Sequence, residues 1–149
     1  MIGILDWIPV RERMDLVAEP VARLLGTLPD LTADIRVAEI DPGLADTAAF
    51  CERYQVPLGV SANCVIVAAK RGGEVSYAAC NVLATMRADV NSAIRRHLGA
   101  RKATFAPMDS ATSLTGMEYG GITPVGVPAG WPILVDSAVA AEPYVVIGA

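Results

Sequence analysis

Between Thr115 and Gly126 the chain carries four glycines and a proline within twelve residues, Thr115-Gly116-Met117-Glu118-Tyr119-Gly120-Gly121-Ile122-Thr123-Pro124-Val125-Gly126. A helix or a central strand does not tolerate that density. Glycine loses the most backbone entropy on ordering, and Pro124 fixes φ and has no N–H to donate. The stretch is therefore a loop, and any fold must be cut there, with regular structure on either side. Two roles compete for it. A glycine-rich loop can direct successive backbone N–H groups at one spot, which suits a carbonyl oxygen or an anion. It can equally be a tight connection between a helix and a strand.

Upstream, residues 11–26 read as a helix with Val17, Val21, Leu24 and Leu25 in an apolar stripe and Gly26 as its stop. Pro20 inside that run predicts a kink or a split. Ile35–Ile40 alternates as a strand does and ends at Asp41-Pro42-Gly43. Asp46 and Thr47 are candidate caps for a short helix through Tyr54, which Pro57-Leu58-Gly59 breaks. Asn63–Ala69 is a buried strand, Arg71-Gly72-Gly73 a hairpin signal, and Glu74–Leu83 the returning strand. From about Asp89 a helix presents Val90, Ile94 and Leu98 on one face and closes at Gly99. Lys102–Ala106 is a short strand, Asp109 a cap for a helix ending at Gly116, and Trp131–Val135 and Tyr144–Ile147 are further strands. Helices and hairpins interleave, so the class is α/β or α+β with a mixed sheet.

Several functions are disfavoured by composition. At 149 residues, 53% hydrophobic and 19% charged, the chain is one packed domain rather than a disordered one. No apolar run approaches the roughly 20 residues of a membrane span. The start, Met1-Ile2-Gly3-Ile4-Leu5-Asp6, has no basic region and argues against a signal peptide. Cys51, Cys64 and Cys80 lack Cys-x-x-Cys spacing and fit reduced cytosolic thiols, while His97 is the sole histidine, so a zinc site is not expected. A histidine-dependent triad would have to use His97, whose neighbours Arg95 and Arg96 place it on a helix surface. With a net charge of −4, contact with a polyanion must be local. Arg87, Arg95, Arg96, Arg101 and Lys102 are the candidates, or else a solvated helix face. The apolar end, Tyr144-Val145-Val146-Ile147-Gly148-Ala149, calls for a cover, either a further segment or a partner.

Four blocks in order, Lys102-Ala103-Thr104-Phe105-Ala106, Leu114-Thr115-Gly116, Gly120-Gly121-Ile122-Thr123-Pro124-Val125-Gly126 and Ile133-Leu134-Val135-Asp136, resemble the YbaK/ProX aminoacyl-tRNA deacylases. These are relatives of the editing domain inserted in bacterial prolyl-tRNA synthetases. Asp46-Thr47-Ala48-Ala49, Gln55-Val56-Pro57 and the strand from Asn63 resemble the family more loosely, so the likeness spans roughly residues 30 to 149. It implies a single α/β domain over 1–149, with a twisted, partly closed mixed sheet and surrounding helices. It also implies a cytoplasmic enzyme that hydrolyses the ester of a wrong amino acid to tRNA, without metal or organic cofactor. The partners are then the aminoacylated 3′ end of tRNA and, compatibly, an aminoacyl-tRNA synthetase, with the chain a monomer or homodimer.

The resemblance also assigns residues. The family's Gly-x-x-x-Pro loop, here Gly120 to Pro124, supplies backbone groups to the ester, which makes Gly120 and Gly121 catalytic candidates beside Asn63 and Asp136. Thr47, Tyr119, Ile122, Thr123 and Pro124 become substrate contacts, while Arg101 and Lys102 are the tRNA-contact candidates from the basic patch rather than from the resemblance. Asp136 either orients pocket groups or caps a helix, and Thr47 either lines the pocket entrance or caps one. Met117 and Cys64 read as packing residues. One departure matters: the family strand usually begins with lysine, as in Lys-Thr-Leu, where this chain has Asn63-Cys64-Val65-Ile66-Val67. Asn63 hydrogen-bonds but offers no charge to a phosphate, and Lys70, an odd number of positions on, faces away. Beside a deacylase, then, stands a non-catalytic binding module on the same fold, and behind both a structural subunit.

Overall fold

The structure is a computed structural model and describes residues 1–148; Ala149, the last of the apolar tail, lies outside the described residues. Its centre is the hairpin of β3 (Ala62–Arg71) and β4 (Glu74–Leu83), in register from Ala62 opposite Leu83 to Arg71 opposite Glu74. Gly72 and Gly73 turn it with φ of 59° and 81°, the left-handed values that a two-residue hairpin loop needs. Ile66–Ala69 and Ala78–Leu83 are buried without alternation, the mark of strands covered on both faces. β5 (Lys102–Phe105) adds antiparallel to β3, and β6 (Ile133–Val135) adds parallel to β4. The order β5-β3-β4-β6 is a mixed, open sheet of four strands.

Directly opposed residues share a face, so the sheet divides its side chains cleanly. On one face Val67, Cys80 and Ala103 pack with Val90, Ile94 and Leu98. Val90 and Ile94 come from one wide π turn, Val90–Ile94, running into α4 (Arg95–His97), which Leu98 ends, with Asp89 capping Ser92 N–H. On the other face Ile66 and Ala79 meet Ala111 of α5 (Met108–Thr115), together with Ile122 of the glycine stretch and Val127 and Trp131 just after it. Trp131 stacks on Tyr77 with ring centroids 5.4 Å apart. The alanines of β3 and β4 let both layers approach closely.

The amino-terminal part forms its own core of Val10, Val21, Leu25, Val37 and Met117. The helix read over residues 11–26 is split, as Pro20 predicts. Two short 3₁₀ turns precede α1 (Glu19–Gly26), where Pro20 sits in the first turn and its missing N–H costs nothing. The strand read over Ile35–Ile40 shrinks to β2 (Arg36–Val37), paired with β1 (Ile8–Pro9); Pro9 has no N–H with which to extend the ladder. A turn of helix, α2 (Pro29–Thr32), lies between α1 and β2.

Three further elements differ from the sequence reading. Asp109 is inside the first turn of α5 rather than its cap; Pro107 holds the cap position, and Asp109 faces the positive helix end. Thr47 does not cap α3 (Thr47–Tyr54), because Asp46 does, accepting from Ala49 N–H at 3.5 Å. Tyr144–Ile147 is not a strand. The tail meets the sheet at a single parallel bridge, Val146 beside Ser61, since β3 begins only at Ala62. Val146 is buried there against Phe50, Cys51 and Val56. Val145 and Ile147 pack on Ala62, Leu83 and Val139, so the apolar tail lies along its own domain.

Candidate functional site

Where β3 starts, five of the sequence candidates meet. Thr47 of α3, Asn63 of β3 and Tyr119, Gly120 and Ile122 of the glycine stretch line one cleft of about 210 Å³. At its floor Thr47 Oγ1 donates to Asn63 Oδ1 over 2.8 Å, a bond between half-buried side chains sixteen positions apart. Because Asp46 already serves the helix end, the Thr47 hydroxyl is free to turn inward. The bond occupies the Asn63 carbonyl, and the Asn63 Nδ2 group has no acceptor among the described residues. Asn63 lines the cleft, so this amide is a neutral donor at its border.

The glycine stretch explains itself turn by turn. Gly116, at φ 69°, is the left-handed end of α5, where its N–H reaches Thr112 O. Gly120, at φ 80°, follows Tyr119 in a turn closed by Gly121 N–H to Glu118 O at 2.9 Å. A Cβ on Gly120 would stand 2.7 Å from Ala45 Cβ, and one on Gly148 would stand 2.7 Å from Gly120 O. The turn is thus clasped between the residue before Asp46 and the carboxy-terminal tail.

This packing limits what the loop can offer. Gly121 N–H is committed to its turn, Thr123 N–H to Met117 Sδ at 3.4 Å, and Val125 N–H to Thr123 Oγ1 at 3.5 Å. Successive amides therefore do not converge on one point; a buried loop must first satisfy its own backbone. Gly120 N–H is without an acceptor among the described residues, and it borders the cleft. Thr123 is 1% exposed and sits behind the wall, on a second, apolar cavity of about 850 Å³ beneath the amino-terminal part. Gly121 borders that cavity too, and Pro124 lines neither. Met117 is both core residue and acceptor.

Asp136 is not brought to the cleft. Its carboxylate accepts from Ala138 N–H at 2.8 Å as the cap of α6 (Ser137–Ala140), which is its helix-capping role. Arg101 and Lys102 lie at the far end of the sheet, where Lys102 is paired with Lys70. Their side chains are exposed there.

Other walls of the cleft escaped the sequence reading: Ile40, Phe50, Ser61, Met108 and the tail from Val146 to Gly148. Only the apolar tail carried a signal, and it did not say where the tail would dock. Asp46 is the single carboxylate on the cleft among the described residues, and no lysine, arginine or histidine borders it. Cys64 also lines it, with its thiol pushed up to about 12 by burial and, secondarily, by Cys80. Such a thiol stays protonated at neutral pH and is a packing group rather than a nucleophile. The cleft is therefore small and lined about equally by polar and apolar surface, with one carboxylate and a few neutral donors. It suits a small ligand that carries a carbonyl oxygen and a cationic group.

No curated protein matches the chain by sequence. Among solved structures it is similar to a candidate trans-editing enzyme for prolyl tRNA synthetase, at TM-score 0.66 and 20% identity, over 85% of this chain and 78% of that one. It is similar to the same extent to a structure from epitope backbone grafting by computational design on scaffold proteins. These likenesses establish the mixed α/β fold. No helix in the described residues is long and apolar enough to cross a membrane. The model of the aminoacyl-tRNA editing domain matches residues 41–149, from the turn before α3 to the end of the tail, and the chain belongs to that family.

Proposed function

We propose that the cleft binds the aminoacylated 3′ end of a mischarged tRNA and hydrolyses its ester. The observation that carries this reading is the Thr47–Asn63 bond, which holds an amide donor toward a cleft bordered by the free N–H of Gly120. Both are neutral donors fixed before substrate arrives. Donors of this kind are stronger on the oxyanion that develops during attack than on the ground-state carbonyl, and one of them contributes about 3 kcal/mol to lowering such a barrier. The ester of an amino acid is already activated, so a nucleophilic side chain is not required. Water attacks the carbonyl carbon, and the ribose oxygen leaves. Proton transfer is assisted by a neighbouring ribose hydroxyl of the substrate.

Asp46 supports the same substrate from the other side. An aminoacyl ester carries an α-ammonium group, and Asp46 is the carboxylate available to it. A volume of about 210 Å³ walled by Ile40, Phe50, Met108 and Ile122 favours a small amino acid. Tyr119, 66% exposed, stands at the mouth where the terminal adenosine would stack.

The test is release of amino acid from a panel of aminoacyl-tRNAs by the wild-type chain, Asn63→Ala and Asn63→Lys. Turnover on esters of small amino acids, reduced about 100-fold in Asn63→Ala, is expected. A second reading, a binding module without turnover, rests on Asn63 standing where relatives carry lysine. A silent wild type that gains turnover as Asn63→Lys would replace the first reading with the second.

A further inference from the structure

We propose that the closed end of the β3–β4 hairpin is a second RNA contact, which takes the sugar–phosphate backbone of the tRNA body while the cleft takes its esterified end. The inference rests on the reading of the cleft as a site for aminoacyl-tRNA.

Sheet pairing assembles this surface from two separated stretches. Lys70 lies directly opposite Lys102, and Arg101 N–H donates to Lys70 O at 2.9 Å. Arg71, next along β3, reaches Gly99 O with its guanidinium at 3.0 Å. Lys70 and Lys102 thus share one face at the end of the sheet, Arg71 stands beside them on the other face and Arg101 at the same end, all exposed. Arg95 and Arg96 add charge one helical turn behind, held along their own helix by Asn91 and Ser92.

None of these six cations is ion-paired among the described residues. The ion pairs there are Arg13 with Asp15 and Glu39, and Arg23 with Glu19, all elsewhere. Even Glu74, opposite Arg71 in the register, makes none. Like charges directly opposed across a sheet oppose folding. A chain with 16 acidic residues and a net charge of −4 leaves this concentration of positive charge uncompensated. Such an arrangement is stabilised by an external polyanion, through release of the counterions condensed on it.

Geometry selects the kind of polyanion. Seven residues of strand separate Asn63 from Lys70, about 23 Å. That is farther than one terminal nucleotide reaches, so the phosphates held here belong to the body of the RNA. A membrane surface would call for an apolar residue at the tip to enter the lipid. The tip, Arg71-Gly72-Gly73-Glu74, has none and carries an acid.

The experiment measures binding of a non-acylated tRNA transcript by fluorescence anisotropy between 50 and about 200 mM salt, the range over which counterion release is readily resolved. It compares the wild type with Lys70→Ala/Lys102→Ala and with the charge-matched Arg11→Ala/Arg23→Ala. The patch variant is expected to bind about tenfold more weakly at about 0.1 M salt and to lose roughly two from the slope of log affinity against log salt. The control is expected to bind as the wild type does. Equal weakening in both variants, or none in the patch variant, overturns the proposal. So does retained tRNA binding with loss of adhesion to phosphatidylserine vesicles, which would mark a membrane surface. Because the transcript carries no ester, this result is independent of turnover. A silent deacylation assay with intact patch-dependent binding faults the reading of the cleft, and turnover without patch-dependent binding faults the patch.

Discussion

Thr47 and Asn63, on a helix and a strand sixteen positions apart, share a 2.8 Å hydrogen bond that decides which way the Asn63 amide faces. If that bond orients the donor, the two residues act as a unit. Thr47→Val and Asn63→Ala are each expected to slow deacylation, and the double variant to be much less impaired than the product of the single effects. A coupling of about 1 kcal/mol or more in a double-mutant cycle on kcat/KM is the expected result. Strict additivity would show that Thr47 serves α3 alone.

Gly120 is conformationally and sterically constrained at once. Its φ is 80°, and an added Cβ would meet Ala45 Cβ at 2.7 Å. Gly120→Ala is expected to lower unfolding stability by about 2 kcal/mol. Removing the opposing methyl with Ala45→Gly relieves the contact but not the positive φ, so recovery in the double variant is partial. Urea midpoints of the three variants measure this; full recovery would mean that backbone strain plays no part.

Asp46 has two tasks that one substitution separates. Asparagine caps a helix about as well as aspartate, so Asp46→Asn keeps α3 and removes only the charge. Affinity for a non-hydrolysable aminoacyl-adenosine amide bearing a free α-ammonium group is expected to fall about fivefold, since the carboxylate is exposed and partly screened. Calorimetry with the des-amino analogue should show no such loss. Equal weakening for both ligands would assign Asp46 to shape rather than charge.

The buried thiol beside the cleft predicts a pH dependence. Cys64 is raised from 9.0 to about 12, and Cys80, by burial, from 9.0 to about 11. The folded state resists losing these protons, whereas the unfolded chain gives them up near pH 9. Stability is therefore full below pH 9 and falls as pH rises from 9 toward 12, because the unfolded state then binds fewer protons than the native one. Cys64→Ala is expected to make that decline about half as steep between pH 9 and 11 in denaturant midpoints, because Cys80 still contributes there. An unchanged slope would show that Cys64 is open to solvent in the native chain.

Much of the scaffold is legible in single segments. The hairpin turns at Gly72 and Gly73 and returns over Glu74–Leu83 as the paired glycines require, and α3 ends at Tyr54 behind its Asp46 cap. Pro20 announces the split before α1. Propensity misleads where pairing decides. Ile35–Ile40 has the pattern of a strand, but its partner contains Pro9, and Tyr144–Ile147 meets a sheet that begins only at Ala62.

The site follows the same division. The ordered blocks from Lys102 to Asp136 pointed to an editing domain, and the family match over 41–149 bears that out. Asp136 itself, open between pocket and cap on spacing alone, is the cap of α6. The glycines, open in the sequence between a nest of amides and a tight connection, mostly close their own turns and admit Ala45 and Gly148.

Residue order alone was enough for the hairpin turn, the split before α1, the burial of β3 and the family, because each depends on residues a few positions apart or on blocks in sequence. The folded chain alone settled which hydroxyl meets Asn63, which amides stay free, that Asp46 is the carboxylate on the cleft, and that Lys70 stands against Lys102. A hydrogen bond or a repulsion acts over a few ångströms of space, and those distances join residues that lie 16 or more positions apart in sequence.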